Sequence, residues 1–516
     1  MFNNNKLAVY RLPKTNLDHD YHHAILISVL RGLAAVEVFA AHLRVQLYPG
    51  LRSMTDPSLW FQAFTFFTGF AHQAVVLFFL LSGWLVGGTL LNKYRHKYSL
   101  ISYGIDRLTR LWIVLIPAFV LTLLLGAAMG EADLTKASFS TTNDYSATAF
   151  IGNLFGLQDL WVSRYGGNFA LWSLTNETWY YVLFPVLLTP WITRSFLARS
   201  LAAVIGIAVL WYLPFPILLF FTIWLMGVGA SRLNIVATVP VRLVLLTLFA
   251  SVSVFFRLTG SNDKLEPDTF VQDVVLSASF LALLCSLQFK ANTALPVWRR
   301  LKKVGAGLAA FSFTLYVIHV PLLLALRDLF NLVDNGRLSP DSVGDFAIYL
   351  MILAAIIGFA YLFHLPFEGQ TVGVRTKLKQ LLLGKRAVPP APGATQPMRE
   401  ALQVPAASLF DTVILPMAKR MRASGKAGFP TKPDVTWLSY YVRRTRSTMR
   451  PEDFTGASCA DAREFERRMA AHWTSIGRHE LAAQARHFAA TAQTARMART
   501  AGQASDDVSA NVYVMF

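Results

Sequence analysis

Residues 72–91 read HQAVVLFFLLSGWLVGGTLL, twenty positions without a Lys, Arg, Asp or Glu. As a helix that run is about 30 Å long, which matches the hydrocarbon core of a bilayer. A helix on the surface of a soluble domain shows an apolar stripe every three or four residues; here the apolar character is continuous. Nine further runs share the pattern, at 24–42, 111–130, 170–189, 198–213, 214–230, 241–258, 270–288, 308–330 and 346–367. The runs 198–213 and 214–230 are short and meet at Leu213-Pro214-Phe215-Pro216, which reads as a hairpin. Of the 516 residues 54% are apolar and 15% charged, whereas a soluble domain carries about 25% charged residues. Disordered, collagen-like and disulfide-scaffold classes are excluded by the same composition. Cys285 and Cys459 are the only cysteines, too few for a disulfide framework or a cysteine metal set. The expected fold is an all-α polytopic membrane protein of about ten transmembrane helices.

The formal net charge is +18, but the basic residues are spread along the chain. A nucleic-acid binder gathers them on one face or segment, so no nucleic-acid partner is expected. Loop charge explains the excess better. With the N-terminal arm 1–23 inside, the loops on that side carry 22 Lys and Arg, including those of 92–110, 289–306 and 370–386. The opposite side carries eight, and Arg31 lies within the first span. That asymmetry satisfies the positive-inside rule with both termini cytoplasmic. The first apolar run starts late and precedes no small-residue cleavage site, so a cleavable signal peptide is not expected. After the membrane domain 24–386, residues 387–400 form a Pro-rich linker that begins AVPPAPGATQP. Residues 401–516 then read as a small cytoplasmic tail, helical in part and partly disordered. Phe465, Met469 and Trp473 recur there at helical spacing and Gly477 divides the helical stretch.

Ionisable side chains inside spans are costly, and they mark a site or a buried pair. The first span holds Arg31, Glu37 and His42. Eleven residues at 100° each leave Arg31 and His42 about 20° apart around the helix and ~16 Å apart along it. Arg31 lies toward the cytoplasmic half and His42 at the outer end. The structural reading has Arg31 snorkelling or paired and His42 interfacial, with Glu37 a structural partner on another face. Glu177, in NFALWSLTNETWYYVLFP at 168–185, enters from the outer side at the depth expected for His42. A carboxylate beside an imidazole fixes its tautomer and raises its basicity; the alternative is a pair with a basic residue of the bundle. Trp172, Trp179, Tyr180 and Tyr181 around it read as an interfacial aromatic belt. Arg107 and Arg110, with Arg95 earlier in the same loop, face one way at the mouth of the third helix. Their forked guanidinium groups suit phosphate, although loop arginines of this kind also serve orientation alone. Tyr316 and His319 in SFTLYVIHVP share a face, with Pro321 just beyond. Gly83, Gly87 and Gly88 suit close helix packing. No phosphate loop, HExxH zinc site or GxSxG nucleophile elbow occurs, and no metal is expected.

Taken together these segments resemble the acyltransferase-3 family of integral-membrane acyltransferases, of the O-antigen and exopolysaccharide acetylase type. The family's Arg–ten residues–His motif is Arg31…His42, and its FFxLSGFL-like second helix is Phe78–Leu85. The RxxR loop is Arg107…Arg110, the WSLxxE motif is Trp172–Glu177, and the SYxLYLxHxP-like late helix is Phe311–Pro321. The order is kept across residues 31–321, and the tail lies outside the resemblance. Departures are the missing aspartate before Arg31, Thr175-Asn176-Glu177-Thr178-Trp179-Tyr180 in place of the usual SVEE/WQFY run, and Phe367-Glu368-Gly369 in place of a late Glu-Arg-Pro. The resemblance implies a multi-pass protein of a bacterial inner membrane that moves an acyl group, commonly acetyl, from acyl-CoA to a hydroxyl of an envelope or exported glycan. It implies His42 as the catalytic histidine, Glu177 as its carboxylate partner, and Arg31, Arg107 and Arg110 on the acyl-CoA phosphates. Trp172, Ser173, Tyr316 and His319 are then substrate contacts. Acyl-CoA is a co-substrate and no bound cofactor is implied. Two other readings are a transporter or flippase of a lipid-linked glycan, whose buried charges form a substrate path, and an acyltransferase acting on a small secreted molecule.

Overall fold

A computed structural model of the protein describes residues 7–94, 100–130, 144–260, 265–292, 295–334 and 337–383. Arg95, Cys459, the linker 387–400 and the tail 401–516, with the helical spacing expected there, lie outside the described residues. The described chain is almost wholly helical. Its helices are α1 (His22–Leu47), α2 (Leu59–Phe67), α3 (Ala71–Ser82), α4 (Gly88–Tyr94), α5 (Leu100–Ala128), α6 (Ala147–Leu154) and α7 (Trp172–Ile192). There follow α8 (Phe196–Tyr212), α9 (Phe215–Ala230), α10 (Val239–Thr259), α11 (Phe270–Ser286), α12 (Pro296–Asp334), α13 (Val343–His364) and α14 (Thr371–Leu382). Two short strands, β1 (Ala8–Arg11) and β2 (Leu233–Val236), pair antiparallel from Ala8↔Val236 to Arg11↔Leu233. Among the described residues seven helical segments are long and apolar enough to cross a membrane, and α8 and α9 are shorter apolar helices.

Each of the ten runs read from the sequence lies largely on a helix, but some boundaries move. The third helix starts at Leu100, not 111, and the ninth at Pro296, not 308. Hydropathy marks only the stretch at lipid depth, while the hydrogen-bonded register continues through polar turns at either end. Arg107 and Arg110 are therefore inside α5 and not in a loop.

The apolar helices divide into two kinds that hydropathy cannot separate. Eleven of the twelve residues of α3 are buried, whereas α10 has none and α8 has only Gly206. Lipid tails are as apolar as leucine, so an outward apolar surface costs nothing in a bilayer. The centre is built by α1 lying along α12, with α3, α5 and α13 packed around that pair.

The crossing of α3 and α9 depends on two glycines. A Cβ at Gly83 would lie 1.9 Å from the Trp224 carbonyl oxygen, and one at Gly227 would lie 2.1 Å from that of Leu80. Backbone against backbone leaves no side chain to rotate away. Gly83 also opens a π-helical segment, Gly83–Gly87, between α3 and α4, and such bulges collect at functional sites. Gly227→Val should lower stability by at least the ~1–3 kcal/mol typical of overpacking, read as a lower unfolding temperature in detergent. Gly229→Ala on the same helix, with nothing within 4 Å of the added carbon, should leave it unchanged. Equal behaviour of the two variants would show that the crossing is not glycine-dependent.

Candidate active site

Because α1 is unbroken from His22 to Leu47, Arg31 and His42 sit on one face of a single rod, ~16 Å apart. Glu37 points elsewhere and accepts the Phe70 N–H at 2.8 Å, in electrostatic reach of Arg44 and Arg257. It is the structural partner expected of it.

At the upper end of that face His42 is half-buried. Its Nδ1 lies 2.9 Å from Nε2 of His319, and the two rings are nearly parallel at 19°. His319 is fully buried on α12, with Nδ1 3.1 Å from the Leu315 carbonyl oxygen one turn back. The segment before α7 closes over the pair. Asn168 Nδ2 donates to the Val317 carbonyl at 2.9 Å, which seats Phe169 edge-on to His42 with centroids 4.9 Å apart. Ser173 Oγ and Tyr316 Oη are 2.6 Å apart, and the Tyr316 ring stands edge-on to His319. Trp172 is half-buried against Phe79.

The lower end is charged and dry. Arg31 is fully buried, and Arg107 and Arg110 are buried too. Arg110 Nη2 lies 3.2 Å from Glu368 Oε1, and its guanidinium covers the Phe313 ring at 5.1 Å. The other Glu368 oxygen accepts from Thr314 N and Oγ1 at 3.0 and 2.5 Å. Nε and Nη1 of Arg110 are buried without an acceptor among the described residues. Arg107 lies over the rings of Tyr103 and Tyr181, 5.8 and 5.6 Å from their centroids. Glu177 completes the group. It accepts from Ser82 Oγ at 2.8 Å and from the Tyr181 hydroxyl, and Ser82 Oγ accepts in turn from Trp224 Nε1 at 3.1 Å. The glycine crossing of α3 and α9 is what brings Trp224 to Ser82.

Two expectations are corrected. His42 and Glu177 are not hydrogen-bonded to each other: the ring of His42 meets His319, and the Glu177 carboxylate accepts from Ser82 and Tyr181. Glu177 lies instead in electrostatic reach of Arg110 and Arg107, and Arg31 in reach of both Glu177 and Glu368. Similar depth along two helices says nothing of their relative rotation, and α7 turns its carboxylate toward α3. Nor do Tyr180 and Tyr181 form an interfacial belt, being 0% and 4% exposed. Tyr180 donates to the Ile217 carbonyl at 3.1 Å. The spacing held a usable signal for Tyr181, since positions 177 and 181 are neighbours on a helix face. Phe169 carried no such signal, and Ser82 and Glu368 stood out only as members of the Phe78–Leu85 motif and of the reduced Phe367-Glu368-Gly369. A cavity of about 490 Å³ lined by Arg11, Leu91, Leu188 and Arg232 among others shares no residue with this site.

The model of the acyltransferase-3 family, an acyltransferase domain, matches residues 25–365. No curated protein and no solved structure matches the chain.

Proposed function

The chain belongs to the acyltransferase-3 family and is a multi-pass membrane acyltransferase, and from that premise we propose that it moves an acyl group, acetyl in the first instance, from cytoplasmic acyl-CoA to a hydroxyl of an envelope or exported glycan. Family membership sets aside the transporter reading, which needs no acyl donor.

The observation that carries the mechanism is the hydrogen-bonded chain from Leu315 through His319 to His42. A carbonyl oxygen only accepts, so His319 Nδ1 carries a proton toward Leu315. In a neutral ring that leaves His319 Nε2 as the acceptor, and His42 Nδ1 must donate to it. The tautomers are thereby assigned from the hydrogen bonds. His42 Nε2 then bears the lone pair, on the half-buried residue of the pair. This is the form a general base needs. His42 Nε2 takes the proton of the acceptor hydroxyl as its oxygen attacks the thioester carbon. The carbon–sulfur bond breaks, the CoA thiolate leaves, and the proton passes from His42 to the thiolate. His319 holds the ring and receives the stronger, charge-assisted bond of the imidazolium. Direct attack and an acyl-histidine relay differ in whether an acyl group can be trapped on His42.

Arg31, Arg107 and Arg110 meet the donor at the other end. The buried Arg110 donors without an acceptor support an anion there, since buried polar groups are normally satisfied. The ~16 Å to His42 suits the pantetheine arm of acyl-CoA. Tyr316 and Ser173, joined to each other beside His319, are the acceptor contacts in this reading.

The orienting role of His319 is tested by a pair of variants. His319→Leu should lower kcat on the order of 10²-fold, the lower range for losing general-base function, with KM for acetyl-CoA unchanged. His319→Gln, whose amide oxygen can stand where Nε2 stood, should restore most of it. Equal loss in both variants would mean that His319 is needed for packing and not for the tautomer.

A further inference from the structure

Outside the buried arginine group a second set of charges converges on one carboxylate. Asp106, in the second turn of α5, has a side chain 5% exposed. Lys379 Nζ lies 2.6 Å from its Oδ1, Arg375 Nε 3.7 Å from Oδ1 and Lys93 Nζ 3.7 Å from Oδ2. Two elements supply these cations: Lys93 lies in the last turn of α4, while Arg375 and Lys379 are four residues apart on one face of α14. Among the described residues three cations thus converge on this one carboxylate. The cation side chains are 13–22% exposed, against 3% for Arg110. The cluster is therefore wetter than the arginine group, yet contiguous with it. Asp106 adjoins Arg107 in the chain and precedes Arg110 by one helical turn, ~6 Å along α5.

We propose that Lys93, Arg375 and Lys379, gathered by Asp106, bind the 3′-phosphate of the acyl-CoA donor. This rests on the acyl-CoA reading above and extends it. An acyl-CoA molecule is long: the thioester stands at one end and a terminal phosphate monoester at the other, with a diphosphate between. The monoester is dianionic and strongly hydrated, which favours a half-open cluster of cations over a dry one. The buried arginines then face the inner part of the donor, and the path runs from this cluster past Arg107 and Arg110 to Arg31 and on to His42. Asp106 is a positioning residue that holds the three cations together before the phosphate arrives. The phosphate of an anionic lipid headgroup has similar chemistry, and the test separates the two sources.

The measurement is equilibrium binding of CoA and of 3′-dephospho-CoA to the full-length protein in phosphatidylcholine nanodiscs. Wild type should bind CoA roughly ten- to a hundred-fold more tightly than 3′-dephospho-CoA, the range for hydrogen bonds to charged groups. Arg375→Gln/Lys379→Gln should bind CoA about as weakly as wild type binds 3′-dephospho-CoA. Lys379→Arg should keep the preference, which separates lost charge from lost folding. Lys377→Gln, an exposed neighbour on α14, should also keep it. Tight CoA binding with no preference for the 3′-phosphate, or a preference that survives in the double variant, overturns the proposal and leaves the acyl-CoA reading intact. Failure of the folded wild type to bind either molecule overturns both. If the preference is absent and wild type, but not the double variant, enriches phosphatidylglycerol from mixed nanodiscs, the phosphate held is a lipid's and the proposal fails.

Discussion

His42→Ala should lower acyl transfer by roughly 10²–10⁴-fold, the range attributed to a positioned general base. The loss should fall on kcat, because the arginines proposed to meet the donor's charged end stand ~16 Å away along α1. In membranes given labelled acetyl-CoA, wild type should place label in envelope glycan, and the variant at equal expression should not. Donor binding should survive in the variant, which separates lost chemistry from lost folding. Label transferred at the wild-type rate by His42→Ala would sink the general-base assignment without touching family membership. Absence of label from wild type as well would direct attention to other acyl groups, or to a small secreted acceptor in place of a glycan.

The second large effect concerns stability. Glu368→Ala should destabilise the bundle by about 3–5 kcal/mol, as expected when one partner of a buried pair is removed. Arg110 and Glu368 are 3% and 0% exposed and 3.2 Å apart, so neither can reach water if the other is lost. Arg110 would then lose its ion-pair partner beside Arg31, whose charge Glu368 also offsets, and keep only the more distant field of Glu177. Thr314 would lose its carboxylate acceptor in the same step. Arg110→Met/Glu368→Leu removes both charges together, and should recover most of the unfolding temperature in detergent while weakening acyl-CoA binding. A single variant as stable as wild type would mean that water reaches the pair. A double variant no more stable than the single would show that the ion pair itself, and not the orphaned charge, carries the effect.

This pair shows where reading the chain alone stopped. Glu368 follows the last apolar run, where the family's late Glu-Arg-Pro is reduced to Phe367-Glu368-Gly369. Only the return of the chain after α13 brings it onto Arg110 and Thr314, far away in sequence. The cluster around Asp106 has the same origin, since it joins Lys93 to Arg375 and Lys379 across α5. Neither pattern has a period that a sequence reading can detect.

What the sequence by itself determined are properties that live within one helix. Continuous apolar runs placed the membrane helices, because a bilayer requires every backbone polar group to be satisfied within the segment. The eleven-residue interval put Arg31 and His42 on one face of α1, and the glycines of Phe78–Gly88 marked a close crossing. All of these follow from 1.5 Å of rise and 100° of turn per residue. The tertiary structure alone decided which face of each helix looks inward and at what rotation. Hydropathy is blind to this, because lipid and bundle interior are equally apolar; that is why α10 and α3 read alike and differ completely in burial. The same freedom of rotation gave His42 a second histidine as its partner, and turned Glu177 toward Ser82, Tyr181 and the buried arginines.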